Sequence, residues 1–187
     1  MRFSEVIWRV WYRIRGRRKP SVGIDVFGPL MTGLLATMLP SHRIVSDSIG
    51  LGGEWTESLE QQMIDAHVEH VVNSHQPAFN ALMDMKPTRS YQRLHRLAMT
   101  VSRAYGETIA AYAEYRRMFL SSEYLSDAYT RKQADGQQWD SLTREHTRAL
   151  LNELQEINAQ DSEAYRYLEP SKVTLDMLEC IASAPSG

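Results

Sequence analysis

The sequence predicts an all-α protein, an irregular multi-helix bundle built around one long Tyr-rich helix over about residues 88–119. Large residues recur there at intervals of seven in three adjacent rows, and they form a broad apolar stripe that other helices must cover. Hydrophobic residues make up 43% and charged residues 24% of the chain, so disorder throughout is excluded. The rows are Tyr91, Ala98, Tyr105, Tyr112 and Phe119; Leu94, Val101, Thr108 and Tyr115; and Leu97, Ala104, Ala111 and Met118.

A chain of 187 residues is long enough for one domain with a substantial core. The sequence predicts four parts within it. Residues 1–20 are expected to form a basic amphipathic N-terminal arm, and residues 21–53 an apolar helix followed by a Gly-containing linker. Residues 54–182 are expected to form the helical body, and residues 183–187 a flexible tail of small residues.

The N-terminal arm and the rest of the chain are oppositely charged. Residues 1–19 carry seven arginines and lysines against Glu5 alone, a net charge of +6. The remaining chain has 14 basic and 22 acidic residues, a net charge of −8. A basic arm on an acidic body predicts an anionic partner or docking between subunits.

The arm also carries the residue types of a membrane interface. From Phe3 to Ile14 the apolar side chains fall in one sector of a helical wheel, which predicts a short amphipathic helix that Pro20 ends. Tryptophans favour the interface, and the basic run binds lipid head groups or nucleic-acid phosphates. The predicted binding residues are Trp8, Trp11, Arg13, Arg15, Arg17, Arg18 and Lys19.

The uncharged run from Val26 to Leu39 is shorter than the about 20 residues that a bilayer-spanning helix needs. We therefore expect a buried helix from about Pro29, in its first turn, to Leu39, with Pro40 closing it. An in-plane membrane hairpin formed with the first helix is the alternative.

A helix predicted from about Thr56 to Ser74 holds the one cluster with metal-ligand chemistry. His67 and His70 share a face, Asp65 lies within reach, and imidazole with carboxylate suits zinc or iron. A second helix would have to supply the missing ligands, and a solvated helix face explains the same residues. The sequence therefore predicts no metal or other cofactor.

The long helix concentrates tyrosine, which suits a helix or subunit interface because each buried hydroxyl needs a partner. The predicted oligomer interface is Tyr105, Tyr112, Tyr115 and Phe119. The first half of the long helix also carries a basic ridge, which consists of Arg89, Arg93, Arg96 and Arg103. We interpret this ridge either as a solvated face or as a second phosphate-binding strip.

Further helices are predicted by capping and turn residues. Pro77 opens a short helix, a break follows at residues 121–123, and Asp135-Gly136 predicts a turn before a helix that starts near Trp139. Asp161 or Ser162 caps a short segment through Leu168. A last helix after Pro170 runs to residue 182, with Val173, Met177, Leu178 and Ile181 inward and the thiol of Cys180 buried.

Three functional hypotheses follow. The first is a non-enzymatic structural or assembly protein that forms homo-oligomers by helix packing and attaches by its arm to an anionic membrane surface or nucleic acid, as a shell or virion-associated component would. The second is a small helical adaptor or inhibitor that binds one protein partner. The third is a metal-dependent enzyme using His67 and His70. No motif names a reaction, so we favour the first; cytoplasmic, membrane-peripheral and virion locations all fit the composition.

Overall fold

The structure, a computed structural model, describes residues 21–42, 65, 69, 71–121 and 126–183. These residues are helical apart from short connections, and their one β feature is an isolated parallel bridge between Val22 and Pro87. The predicted all-α fold is therefore confirmed. The basic arm and the Gly-containing linker around residues 50–53 lie outside the described residues, as does the tail after residue 183.

The described residues contain six α-helices. A π-helical turn, Val71–His75, runs directly into the second helix, and a 3-10 turn, Arg89–Tyr91, precedes the third. The helices are α1 (Ile24–Ala36), α2 (Gln76–Met83), α3 (Gln92–Leu120), α4 (Asp127–Gln160), α5 (Ser162–Leu168) and α6 (Lys172–Ser183).

Helices α3 and α4 form an antiparallel pair that is the central scaffold of the fold. Arg93 pairs with Glu153 at 2.8 Å, and the hydroxyl of Thr108 lies 3.2 Å from that of Thr143. With its 3-10 turn, α3 covers the residues where the long helix was predicted. Its 29 residues rise about 43 Å, long enough to contact the other helices along its length.

The turn predicted at Asp135-Gly136 is wrong, because α4 is one continuous helix of 34 residues. Gly136 lies where the two long helices approach closely: a Cβ built on it would be 3.6 Å from the Cβ of Ala111. Packing of α4 against α3 overrides the turn propensity of the dipeptide.

Helix α1 begins earlier than predicted, at Ile24, so Pro29 lies in its second turn and not its first. Proline has no backbone N–H, so one helical hydrogen bond is missing at this position. Because Pro29 is exposed, the missing bond lies on the solvent side of the helix. Pro40 does not close the segment either, since residues 39–42 form one further helical turn.

The core is formed by one side of α1 together with α2, α3, α4 and the two C-terminal helices. Of the two predicted caps, Asp161 is the one that caps α5, its carboxylate accepting from the backbone N–H of Ala164 at 2.9 Å. The fully buried large hydrophobic residues are Phe27, Met31, Leu34, Leu35, Met38, Leu82, Leu94, Met99, Leu150, Leu168 and Leu178.

Two predictions for α6 are wrong. Val173 is 50% exposed, and Cys180 is exposed although a buried thiol was expected. The two residues are seven apart and so share the outward face of the helix. Thr174 takes the inward position in the first turn, with its hydroxyl 2.9 Å from that of Ser171, while Met177 and its neighbours pack inward as predicted.

A substitution at Gly136 distinguishes a helix from a turn at this position. Gly136→Ala should raise the free energy of unfolding by about 0.5–1 kcal/mol, because alanine favours the helix and its Cβ meets Ala111 at an ordinary contact distance. Urea denaturation measures the change. Loss of stability would indicate a left-handed turn. Gly28→Ala is the matched control: its Cβ would collide with the Tyr167 carbonyl, so it should lose about 1–3 kcal/mol.

Candidate functional site

The outward side of α1 is an apolar surface, called here the outer face of α1. It consists of Val26, which is 43% exposed, Leu30, which is 36% exposed, and the exposed Pro29 and Gly33. These residues recur at spacings of three and four and therefore lie on one side of the helix. The chain has no ionisable side chain from Val26 to Pro40, so a surface of aliphatic, proline and glycine residues faces the solvent.

The inner side of α1 is fixed in the core, which sets the direction of the outer face. The ring of Phe27 has its centroid 5.8 Å from that of His95 and 6.4 Å from that of Tyr91. One residue later, Gly28 lies directly against the backbone of Tyr167. Rotation of α1 about its axis would break these contacts, so the outer face is held toward solvent.

The point where the N-terminal arm joins the body is also fixed. The backbone N–H of Val22 donates to the carbonyl of Lys86 at 2.9 Å, and the N–H of Thr88 donates to the carbonyl of Val22 at 3.3 Å. Ser21, immediately before this clamp, is exposed. The arm therefore begins within a few residues of the outer face of α1.

One described segment, Ile24–His42, is long and apolar enough to cross a membrane, with a mean hydropathy of 1.3 over its best window. This extends the uncharged run that the sequence suggested was too short to span. A core helix meets the same criterion, and 39% of the window is buried inside the protein. The packed inner side fits a core helix with one exposed apolar face.

The residues predicted to bind phosphate or lipid lie outside the described residues, as do His67 and His70. Asp65, the third metal candidate, pairs with Arg117 at 2.9 Å. Among the described residues, there is no group of three or more histidine, cysteine, aspartate or glutamate side chains that could hold a metal. The arm residues are Trp8, Trp11, Arg13, Arg15, Arg17, Arg18 and Lys19.

The tyrosines predicted for an oligomer interface occupy different environments. Tyr105 is only 6% exposed, and its hydroxyl donates to the carbonyl of Met38 at 3.3 Å, so it is covered by this chain's own core. Burial raises the pKa of the Tyr105 hydroxyl. Tyr112 is half-buried and Phe119 is 47% exposed, while the side chain of Tyr115 lies outside the described part.

The basic ridge is partly neutralised by α4. Arg93 lies 2.8 Å from the carboxylate of Glu153, which is buried, and 3.5 Å from that of Glu156. Arg89 and Arg96 are exposed on either side of it. A strip interrupted by two carboxylates is a poorer phosphate-binding surface than a continuous one.

A buried histidine that the sequence did not single out joins α1 to α3. The Thr37 hydroxyl donates to the Leu34 carbonyl at 2.7 Å and lies 2.8 Å from Nδ1 of His75. Nε2 of the same ring lies 3.0 Å from the hydroxyl and 3.3 Å from the carbonyl oxygen of Ser102. His75 therefore acts as a polar connection between packed helices.

His95 is a second buried histidine, fully covered beneath α1. Its Nε2 donates to the carbonyl of Leu82 at 2.9 Å. Burial lowers the pKa of His95, nearby Arg96 lowers it further, and the Leu82 carbonyl partly opposes both effects. Burial likewise lowers the pKa of His42, in the turn that follows α1. Both rings are therefore favoured in the neutral form.

A cleft of about 260 Å³ lies between α4, α5 and α6. Its Arg148 donates through Nε to the carbonyl of Ala182 at 2.7 Å, so this side chain has a structural partner. The volume is below the about 300–1,000 Å³ that is typical of ligand pockets. The lining residues are Arg148, Leu151, Asn152, Leu154, Gln155, Tyr165, Leu175 and Glu179.

No family model matches the sequence, and neither the curated proteins nor the solved structures include one that matches it.

The lowered pKa values of His42 and His95 predict that the stability of the protein falls in mild acid. Their pKa values are lower in the folded protein than the ordinary value of 6.5, so the unfolded chain binds more protons below that pH. The stabilisation is therefore complete above pH 6.5 and is lost as the pH falls below it, by at most about 1.4 kcal/mol per pH unit for each histidine.

Urea denaturation between pH 7.5 and pH 5 measures this loss. The difference between the two pH values should shrink in His95→Gln, and shrink further in the double variant with His42→Gln, because fewer rings must take up a proton on unfolding. An unchanged pH dependence in the double variant would contradict the assignment.

Proposed function

We propose that the protein is a non-enzymatic structural or assembly protein that attaches to an anionic membrane surface through its basic N-terminal arm. The observation that carries the proposal is the separation of charge along the chain, +6 on residues 1–19 and −8 on the rest. An anionic surface attracts the arm and repels the body, which favours attachment by one end of the molecule.

Several features favour a membrane over nucleic acid as the partner. The arm interleaves tryptophan with arginine, a combination typical of the lipid interface. The outer face of α1 itself carries no basic residue to contact phosphate. The basic ridge, the other phosphate-binding candidate, is interrupted where Arg93 pairs with Glu153 and Glu156.

We also propose that copies of the protein assemble by helix packing. The accessible candidates on α3 are the half-buried Tyr112 and the exposed Phe119, near the end of the helix away from the arm's root. A second copy packed there would leave the N-terminal side available for a membrane. Aromatic side chains of this kind are enriched in subunit interfaces.

Neutralising the arm in the full-length protein tests the attachment. The triple variant Arg15→Gln, Arg17→Gln and Arg18→Gln should weaken binding to vesicles of phosphatidylcholine and phosphatidylserine about 100-fold. The reason is that each basic residue near an anionic surface contributes about 1 kcal/mol. Co-sedimentation across a salt series measures the affinity, and salt should weaken wild-type binding.

The matched control removes three exposed charges elsewhere, with Arg131→Gln, Arg166→Gln and Lys172→Gln, and should bind almost as wild type does. Equal losses in the two triple variants would contradict attachment by the arm. Arm-dependent binding to duplex DNA or RNA but not to vesicles would replace the membrane with nucleic acid. Binding to none of these would favour the adaptor hypothesis.

A further inference from the structure

We infer that the outer face of α1 lies on the same bilayer as the arm, with Val26 and Leu30 at the boundary between head groups and hydrocarbon. The inference rests on the proposed function, because the arm supplies the electrostatic attraction that brings α1 to the surface. It adds a second contact, made by the folded body, that inserts side chains into the bilayer.

The chemistry of the outer face matches this boundary. Val26 and Leu30 are exposed aliphatic side chains, and Pro29 and Gly33 between and beside them add no polar side-chain atom. In water these side chains remain hydrated, whereas at the acyl boundary they gain the free energy of transfer out of water. The acidic residue that α1 carries in its first turn, Asp25, lies at the N-terminal edge of the face and not within it.

The geometry brings arm and outer face to one surface. The clamp of Val22 onto Lys86 and Thr88 fixes the arm's root, and Val26 lies five positions after Ser21. Even a fully extended segment of that length spans less than about 20 Å. A bilayer that meets the arm near its root is therefore within reach of the outer face.

A second copy of the chain fits this face less well. From Val26 to Gly33 the helix rises roughly 10 Å, and two partly exposed aliphatic side chains provide little of the about 800 Å² per partner of a stable interface. A symmetric contact through α1 would also bring two arms of charge +6 close together. A bilayer imposes neither restriction.

The helix lies in the membrane plane and does not cross the bilayer. Phe27, Met31 and Leu35 are fully buried on its inner side, against the rest of the core. Crossing the bilayer would remove these side chains from their partners and break the contact of Phe27 with His95. In-plane contact uses the exposed side alone and leaves the fold intact.

The first test compares serine substitutions on two exposed apolar positions. Val26→Ser with Leu30→Ser in the full-length chain should weaken partitioning onto phosphatidylcholine–phosphatidylserine vesicles roughly tenfold, because the transfer of both side chains is lost. Val173→Ser, on the outward side of α6, is the control and should leave partitioning unchanged. Asp25→Asn should strengthen it up to about fivefold by removing a repelled charge. Thermal unfolding checks that each variant folds.

The second test reports directly on insertion. Leu30→Cys and, separately, Val173→Cys are made in a Cys180→Ser chain and labelled with an environment-sensitive nitrobenzoxadiazole dye. The label at position 30 should brighten and shift to the blue with anionic vesicles, and the label at position 173 should not. A label at position 30 that stays in water while arm-dependent binding persists would overturn the inference and leave the proposed function standing.

Two other outcomes of these experiments would have different meanings. Vesicle binding that survives neutralisation of the arm would overturn the proposed function, and this inference with it. A label at position 30 that is shielded by raising protein concentration without vesicles would overturn the inference in favour of a second copy of the chain.

Discussion

Burial of the inner side of α1 is the constraint on which the rest of the structure depends. Phe27 stacks near His95 and Tyr91, and Gly28 meets the backbone of Tyr167, so one short helix ties α3 to the C-terminal helices. Since the inner side is committed to the core, Val26 and Leu30 can only face outward. The apolar outer face is thus a consequence of how the helix packs. A bilayer that covers this face would break none of the contacts of the core.

The antiparallel pair of α3 and α4 supplies the platform on which α1 packs. Small side chains let the two helices approach closely: Gly136 lies against Ala111, and Thr108 meets Thr143 hydroxyl to hydroxyl. Each hydroxyl also lies within hydrogen-bond distance of a carbonyl of its own helix, that of Ala104 for Thr108 and that of Trp139 for Thr143, so neither depends on the other helix for a partner. Farther along, the buried carboxylate of Glu153 is paired with Arg93, and this reduces the free-energy cost of burying the carboxylate charge. The same pairing makes Arg93 less available to bind phosphate.

The sequence predicted elements whose signals are local or strongly periodic. The seven-residue rows identified α3, Pro77 marked α2, and Asp161-Ser162 marked α5. The turn prediction at Asp135-Gly136 was wrong because packing against α3 on another part of the chain keeps these residues helical. The run around Val26 is apolar on both sides of the helix, so periodicity could not tell the inner side from the outer; the spacing of Pro29 and Gly33 was the available hint. The partners of His75 lie 27 and 38 positions away, beyond any local pattern.

Amide hydrogen exchange of the full-length protein, with and without anionic vesicles, tests the central claim most directly, because it reports on the whole chain without substitutions. The account predicts added protection in the peptides that cover residues 1–33, and exchange on the outward surfaces of α4 and α6 that vesicles leave unchanged. Protection centred on α3 and α4, with none in the N-terminal peptides, would show that the protein meets membranes by another surface and would contradict the account.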